Sequence, residues 1–153
     1  SNTLNLNAQI THDLDRQAVK ELHHYAQLPE KWVEQYYEEA SSAVLSNPEK
    51  AMRNDTKILE AGGEKYGIIQ TELWESESFI KTNYQLILTI LKSLESPHTF
   101  LTAPNIAHDF NYLVTEDELV KTQLTNKIDA IFEGDIGKTK KLWLRKEIIK
   151  ALS

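Results

Sequence analysis

Residues 64–95, EKYGIIQTELWESESFIKTNYQLILTILKSLE, decide how the whole chain is read. Tyr66, Ile69, Leu73, Ile80, Tyr84, Ile87, Leu91 and Leu94 recur every three to four residues, with Glu77 the one polar member of the stripe. That spacing predicts an amphipathic helix. As one helix the segment would extend about 48 Å. Gly67 inside it costs up to ~1 kcal/mol relative to alanine. A break near Ser76–Ser78 is the competing reading. The unbroken helix is preferred, and the rest of the chain is arranged around it.

Towards the N-terminus, Leu14, Ala18, Leu22 and Tyr25 predict a helix opening at Asp13, which Pro29 ends. A second helix runs to about Leu45 on Val33, Tyr37, Ala40 and Val44, widened by Trp32 and Tyr36. Ser46-Asn47-Pro48-Glu49 reads as a cap with proline in the first turn, opening a short helix that stops at Gly62-Gly63.

Towards the C-terminus, Ser96-Pro97 stops the long helix and a short one covers 105–113. Thr115-Glu116-Asp117-Glu118 reads as a capping box. The helix after it turns Leu119, Leu124, Ile128 and Ile131 inward. Gly134 and Gly137 bracket a turn before a last helix over 138–152. Only Thr99–Leu101 suggests an extended piece, and no strand pair stands out. The expected fold is therefore all-α, an irregular bundle of about six helices with one long central helix at about 64–95. Residues 1–11 are read as a lead-in, with Ser1-Asn2 a remnant of tag removal, and 12–153 as a single helical domain. Whether that domain is a piece of a longer protein is left open.

Composition narrows the function classes. The chain has 153 residues, one domain's worth. It has no Cys, which removes disulfides, thiolate metal sites and a cysteine nucleophile. No apolar run approaches the ~20 residues of a membrane span, and no signal peptide is evident, so a soluble protein, cytoplasmic or secreted, is expected. The formal charge of −6 is uneven. Lys138, Lys140, Lys141, Arg145, Lys146 and Lys150 face only Glu147, so the last sixteen residues carry +5 and the remainder −11. An acidic body repels nucleic acid, and none is expected as a partner.

Several short motifs suggest chemistry and fall short of it. Glu21-x-x-His24 and Glu95-x-x-His98 have the spacing of di-iron carboxylate bundles, but no Glu precedes the first pair and Pro97 interrupts the second. Gly134-Asp135-Ile136-Gly137-Lys138-Thr139 ends like a phosphate-binding P-loop, yet position 132 is Phe where that loop needs Gly. His108-Asp109 resembles the adjacent pair of HD-type metal-dependent phosphohydrolases, with His24 and Asp129 nominated as the separate earlier His and later Asp. Trp143-Leu144-Arg145-Lys146-Glu147 resembles the Trp-x-x-x-Glu pattern of bacterial effectors that activate small GTPases. No complete catalytic set emerges, so no catalytic residue, metal ligand or cofactor is assigned.

The last helix is the strongest binding candidate. Leu142, Leu144, Ile148, Ile149 and Leu152 share a stripe, while Trp143 falls among Lys140, Lys146 and Lys150. An indole flanked by lysines suits an acidic protein or an anionic membrane surface. The sequence thus predicts a non-catalytic interaction module that binds through Lys140, Trp143, Lys146 and Lys150, and the tag remnant, the absence of Cys and the lack of familiar motifs suggest a domain of a secreted bacterial effector. The alternatives are a small HD-like hydrolase and a structural domain that oligomerises along the 64–95 helix, with the oligomeric state left open.

Overall fold

A computed structural model describes residues 6, 11–26, 29 and 31–153. Ser1-Asn2 and most of the lead-in lie outside the described residues. Within them the elements run α1 (Asp13–Ala26), α2 (Trp32–Ser46), α3 (Pro48–Asn54), β1 (Thr56–Ala61), β2 (Glu64–Gln70), α4 (Glu77–Lys92), β3 (His98–Asn105), β4 (Phe110–Val114), α5 (Glu118–Ile128), β5 (Ile131–Glu133), β6 (Ile136–Lys138) and α6 (Arg145–Leu152). The fold is α/β, not the expected all-α bundle. A six-stranded mixed sheet in the order β1-β2-β3-β4-β6-β5 forms its centre.

The 64–95 segment is where the helical reading fails. Its first seven residues are strand β2, paired antiparallel with β1 and parallel with β3. Tyr66 and Ile68 face one side of the sheet and Ile69 the other, and all three are at most 1% exposed. A strand buried on both faces shows no alternation, so its apolar residues matched a helical stripe by coincidence. The break falls at Ser76, and α4 keeps only the second half of the segment. No 32-residue helix exists to serve as an oligomerisation seam. Gly62 and Gly63, read as a helix stop, take φ of +58° and +85° in a two-residue hairpin between β1 and β2. Positive φ at both positions is what such a turn demands, and glycine adopts it without penalty.

The sheet separates two cores. On one face α3 and α4 bring Met52, Phe79, Ile80, Ile87 and Ile90 onto Ile69, Leu101 and Val114. On the other, α5 and α6 bring Val120, Leu124, Ile148 and Leu152 onto Tyr66, Ile68, Phe100 and Leu113. Each fully buried side chain of this size contributes roughly 1.5–3 kcal/mol. The parallel pair β2 and β3 is joined through α4, the crossover that parallel strands require. At the ends of these two strands, α2 stacks Tyr37 on Trp74 with ring centres 5.9 Å apart. α1 forms where its periodicity places it, but Leu14, Leu22 and Tyr25 remain 78%, 64% and 82% exposed.

The last helix is shorter than expected. Residues 136–138 pair with β4 as β6, and α6 begins only at Arg145. The intervening segment is held by Asn111, which is fully buried. Its side-chain oxygen accepts from the Trp143 N–H at 2.8 Å, and its Nδ2 donates to the Trp143 carbonyl and to Thr102 Oγ1, each at 2.8 Å. Lys140 and Trp143 therefore lie ahead of the helix, and the helical face that was to group them with Lys146 and Lys150 does not form.

Candidate functional site

The N-terminus of α6 abuts the C-terminal end of β2. Gln70, the last residue of that strand, accepts the Arg145 N–H on Oε1 at 3.1 Å and donates from Nε2 to Glu72 Oε1 at 2.9 Å. The Arg145 residue is buried, 8% exposed, and its guanidinium donates to the Asp55 carbonyl and Oδ1 and to the Ile68 carbonyl. Asp55 follows α3 directly and also takes the Gln70 N–H on its carbonyl at 3.1 Å. Three segments far apart in sequence are thus fastened at one point, and the fastening shapes a cleft of about 200 Å³ lined by Lys57, Gln70, Glu72, Leu144, Arg145 and Lys146.

Two of the cleft's cations are unspent. Among the described residues, neither Lys57 nor Lys146 forms an ion pair, and both are exposed. Leu144 occupies the cap position of α6 and has no oxygen to offer the first turn. Glu147 reaches back to accept the Leu144 N–H at 2.7 Å, which is only half of a capping box. The Arg145 N–H goes to Gln70, and the Glu147 and Ile148 N–H groups go to the Leu144 carbonyl. The Lys146 N–H has no acceptor among the described residues. The free Lys146 N–H, the positive end of the helix dipole and two unpaired lysines make a favourable environment for an anion. The one acid lining the cleft is Glu72, whose carboxyl burial holds above the usual carboxylate range. Asp55 pushes in the same direction and Arg145 opposes it.

A larger hollow of about 480 Å³ lies between the start of α4 and the β5–β6 edge. Its floor is apolar, with Ile80, Tyr112 and Ile136. Its cations already have partners. Lys81 binds Glu77 at 2.6 Å, Lys138 sits 4.9 Å from the centre of the Tyr112 ring, and Lys140 lies 3.7 Å from Asp129. Size favours this hollow, but available charge favours the smaller cleft.

The sequence-derived binding residues are distributed between these places. Lys146 lines the cleft and Lys140 lines the hollow. Trp143 packs beside the α5–α6 core with Lys141 4.5 Å from its ring centre, and Lys150 is exposed on α6. Lys57, Gln70, Glu72 and Arg145 were not foreseen as site residues. The signal that would have found them is the free cation pair combined with a leucine cap, and it exists only once β1, β2 and α6 are placed together.

The short motifs are absorbed by structure. Glu147 of Trp-x-x-x-Glu is the capping acid of α6. The P-loop-like run is the β5–β6 hairpin, with Gly134 at φ +64°. His98 Nδ1 lies 2.7 Å from Asp117 Oδ2 at the head of α5. His108 sits in the turn between β3 and β4 with Nε2 3.4 Å from Glu75, and Asp109 takes φ +57° there. His24 is on α1, and among the described residues no group of three or more His, Asp or Glu is placed to hold a metal ion. The HD-like arrangement is not formed. No described helix is long and apolar enough to cross a membrane.

No family model and no curated protein matches the chain. The fold is similar to the solved structure of a Methanococcus jannaschii protein provisionally assigned as a family II inorganic pyrophosphatase, with a TM-score of 0.73 and 21% sequence identity. The match covers 98% of this chain and 52% of that one, so the chain spans about half the length of its neighbour. The expectation of an all-α helical interaction module is overturned in its fold: the chain has the α/β fold found within that protein.

Proposed function

We propose that the chain forms the substrate-holding side of a phosphoanhydride hydrolase, with the cleft at the head of α6 as its phosphate site. The observation that carries this reading is the pair of unpaired lysines, Lys57 and Lys146, flanking a helix start whose Lys146 N–H has no acceptor among the described residues. The position supports it as well, because ligands of open α/β sheets gather at the carboxyl ends of the strands. The resemblance to a chain assigned to pyrophosphate hydrolysis supports a phosphoryl ligand over other anions. In this reading Arg145 acts by holding the head of α6 in place, and the lysines meet the ligand.

The test is isothermal titration of pyrophosphate into the chain at low ionic strength. Binding is expected, weakening with added salt. Lys57→Met and Lys146→Met should each weaken it about tenfold, the scale of one charge-assisted contact. Leu144→Asp should weaken it further by placing a competing carboxylate at the helix cap. Binding that survives the double lysine variant, or none at millimolar pyrophosphate, would remove this cleft as the phosphate site.

A further inference from the structure

We propose that Glu72 makes this cleft selective for phosphoryl groups that carry a donatable proton over proton-free tetrahedral anions such as sulfate. The proposal rests on the reading of the cleft as an anion site and adds a property that its lysines cannot supply. Lys57, Lys146 and the Lys146 N–H are donors only, and they serve any tetrahedral dianion alike. Gln70 is the weaker acceptor, because its neutral Oε1 already accepts the Arg145 N–H while its Nε2 donates to Glu72. Asp55 bonds Arg145 through Oδ1 and does not line the cleft.

That leaves Glu72 as the acceptor of the cleft. Gln70 engages its Oε1 and thereby fixes the carboxylate relative to the head of α6. Burial increases the carboxyl's affinity for protons, which strengthens it as an acceptor. Phosphate near neutral pH retains a P–OH that donates to such a carboxylate. Sulfate has the same shape and charge but no proton. It would bring a lone pair against a carboxylate, and that repulsion is how a site rejects a near-isostere.

Titration calorimetry with inorganic phosphate and with sodium sulfate, at pH 7.5 and matched ionic strength, decides it. The native chain should bind phosphate about tenfold or more tighter than sulfate, the scale of a charge-assisted hydrogen bond exchanged for repulsion. Glu72→Gln, whose amide can donate, should bring the two affinities to within about threefold, mainly by admitting sulfate. Glu72→Ser provides a second variant, with circular dichroism confirming the fold of each. Equal affinities in the native chain, or a ratio unchanged in both variants, would overturn the selectivity and leave the anion site standing. Failure of the native chain to bind either anion would overturn both.

Discussion

The Arg145 guanidinium donates from Nη1 to the Asp55 carbonyl and from Nη2 to Asp55 Oδ1, each at 2.7 Å, across 90 residues of sequence. This pair joins the exit of α3 to the start of α6 and passes beneath the cleft. Arg145→Met should lower unfolding free energy by about 2 kcal/mol, the scale of lost hydrogen bonds to a charged group. Urea denaturation of Arg145→Met, Asp55→Ala and the double variant measures the coupling, and additive losses would show that the pair does not act as a unit.

Asn111 fastens the segment ahead of α6. Its amide replaces a peptide unit by bonding both the N–H and the carbonyl of Trp143. Asn111→Leu strands both groups and should cost about 2–4 kcal/mol. Hydrogen exchange at the Trp143 amide should rise well beyond that of α4 in this variant. Unchanged protection at Trp143 would contradict the tie.

Gly137 lies under the Phe132 ring, and a Cβ built there would stand 2.6 Å from Cε1. No positive φ requires glycine at this position, so the constraint is the aromatic cover alone. Gly137→Ala should cost about 1–3 kcal/mol through overpacking. The same substitution in a Phe132→Ala background should cost less, because the clash is gone. Equal costs in the two backgrounds would locate the constraint elsewhere.

Tyr84 donates its hydroxyl to Asp135 Oδ2 at 2.7 Å, and Lys121 donates to the other carboxylate oxygen at 2.8 Å. The hydrogen bond to Asp135 is the main cause that lifts the Tyr84 phenol to about 12. A raised phenol pKa means that the folded state keeps its proton while the unfolded chain gives it up. The stabilisation is complete below about 10, the model tyrosine value, and disappears as pH rises towards about 12. Lys121 is also raised, chiefly by its hydrogen bond to Asp135, and acts in the same alkaline range. As pH rises from about 10 towards about 12 the native chain should therefore lose more stability than Tyr84→Phe. Parallel urea midpoints for the two across that range would refute the assignment.

Local signals in the sequence located most of the helices. The periodicity from Leu14 to Tyr25 corresponds to α1, and that from Ile80 to Leu91 corresponds to α4. Asn47 and Pro48 start α3, with Asn47 Oδ1 accepting the Lys50 N–H at 3.1 Å. Asp117, one of the residues in the box read at 115–118, is the true cap of α5 and accepts the Leu119 and Val120 N–H groups. Such signals are legible because a helix satisfies its backbone within itself and its ends with adjacent side chains.

The strands and the site were decided by tertiary structure. A strand finds its hydrogen-bond partners elsewhere in the chain, and β2 is defined by β1 on one side and β3 on the other. Its residues 66–69 are buried because helices cover both faces of the sheet, and no alternation survives to mark them. The cleft follows the same logic. Lys146 was legible as a cation in a basic terminal segment, but Lys57, Gln70 and Glu72 meet it only when β1, β2 and α6 converge. The sequence by itself determined the helix starts, the absence of cysteine chemistry and the uneven charge. Pairing of distant segments decided the sheet and the anion cleft, because strand hydrogen bonds and converging side chains are long-range contacts that no local pattern encodes.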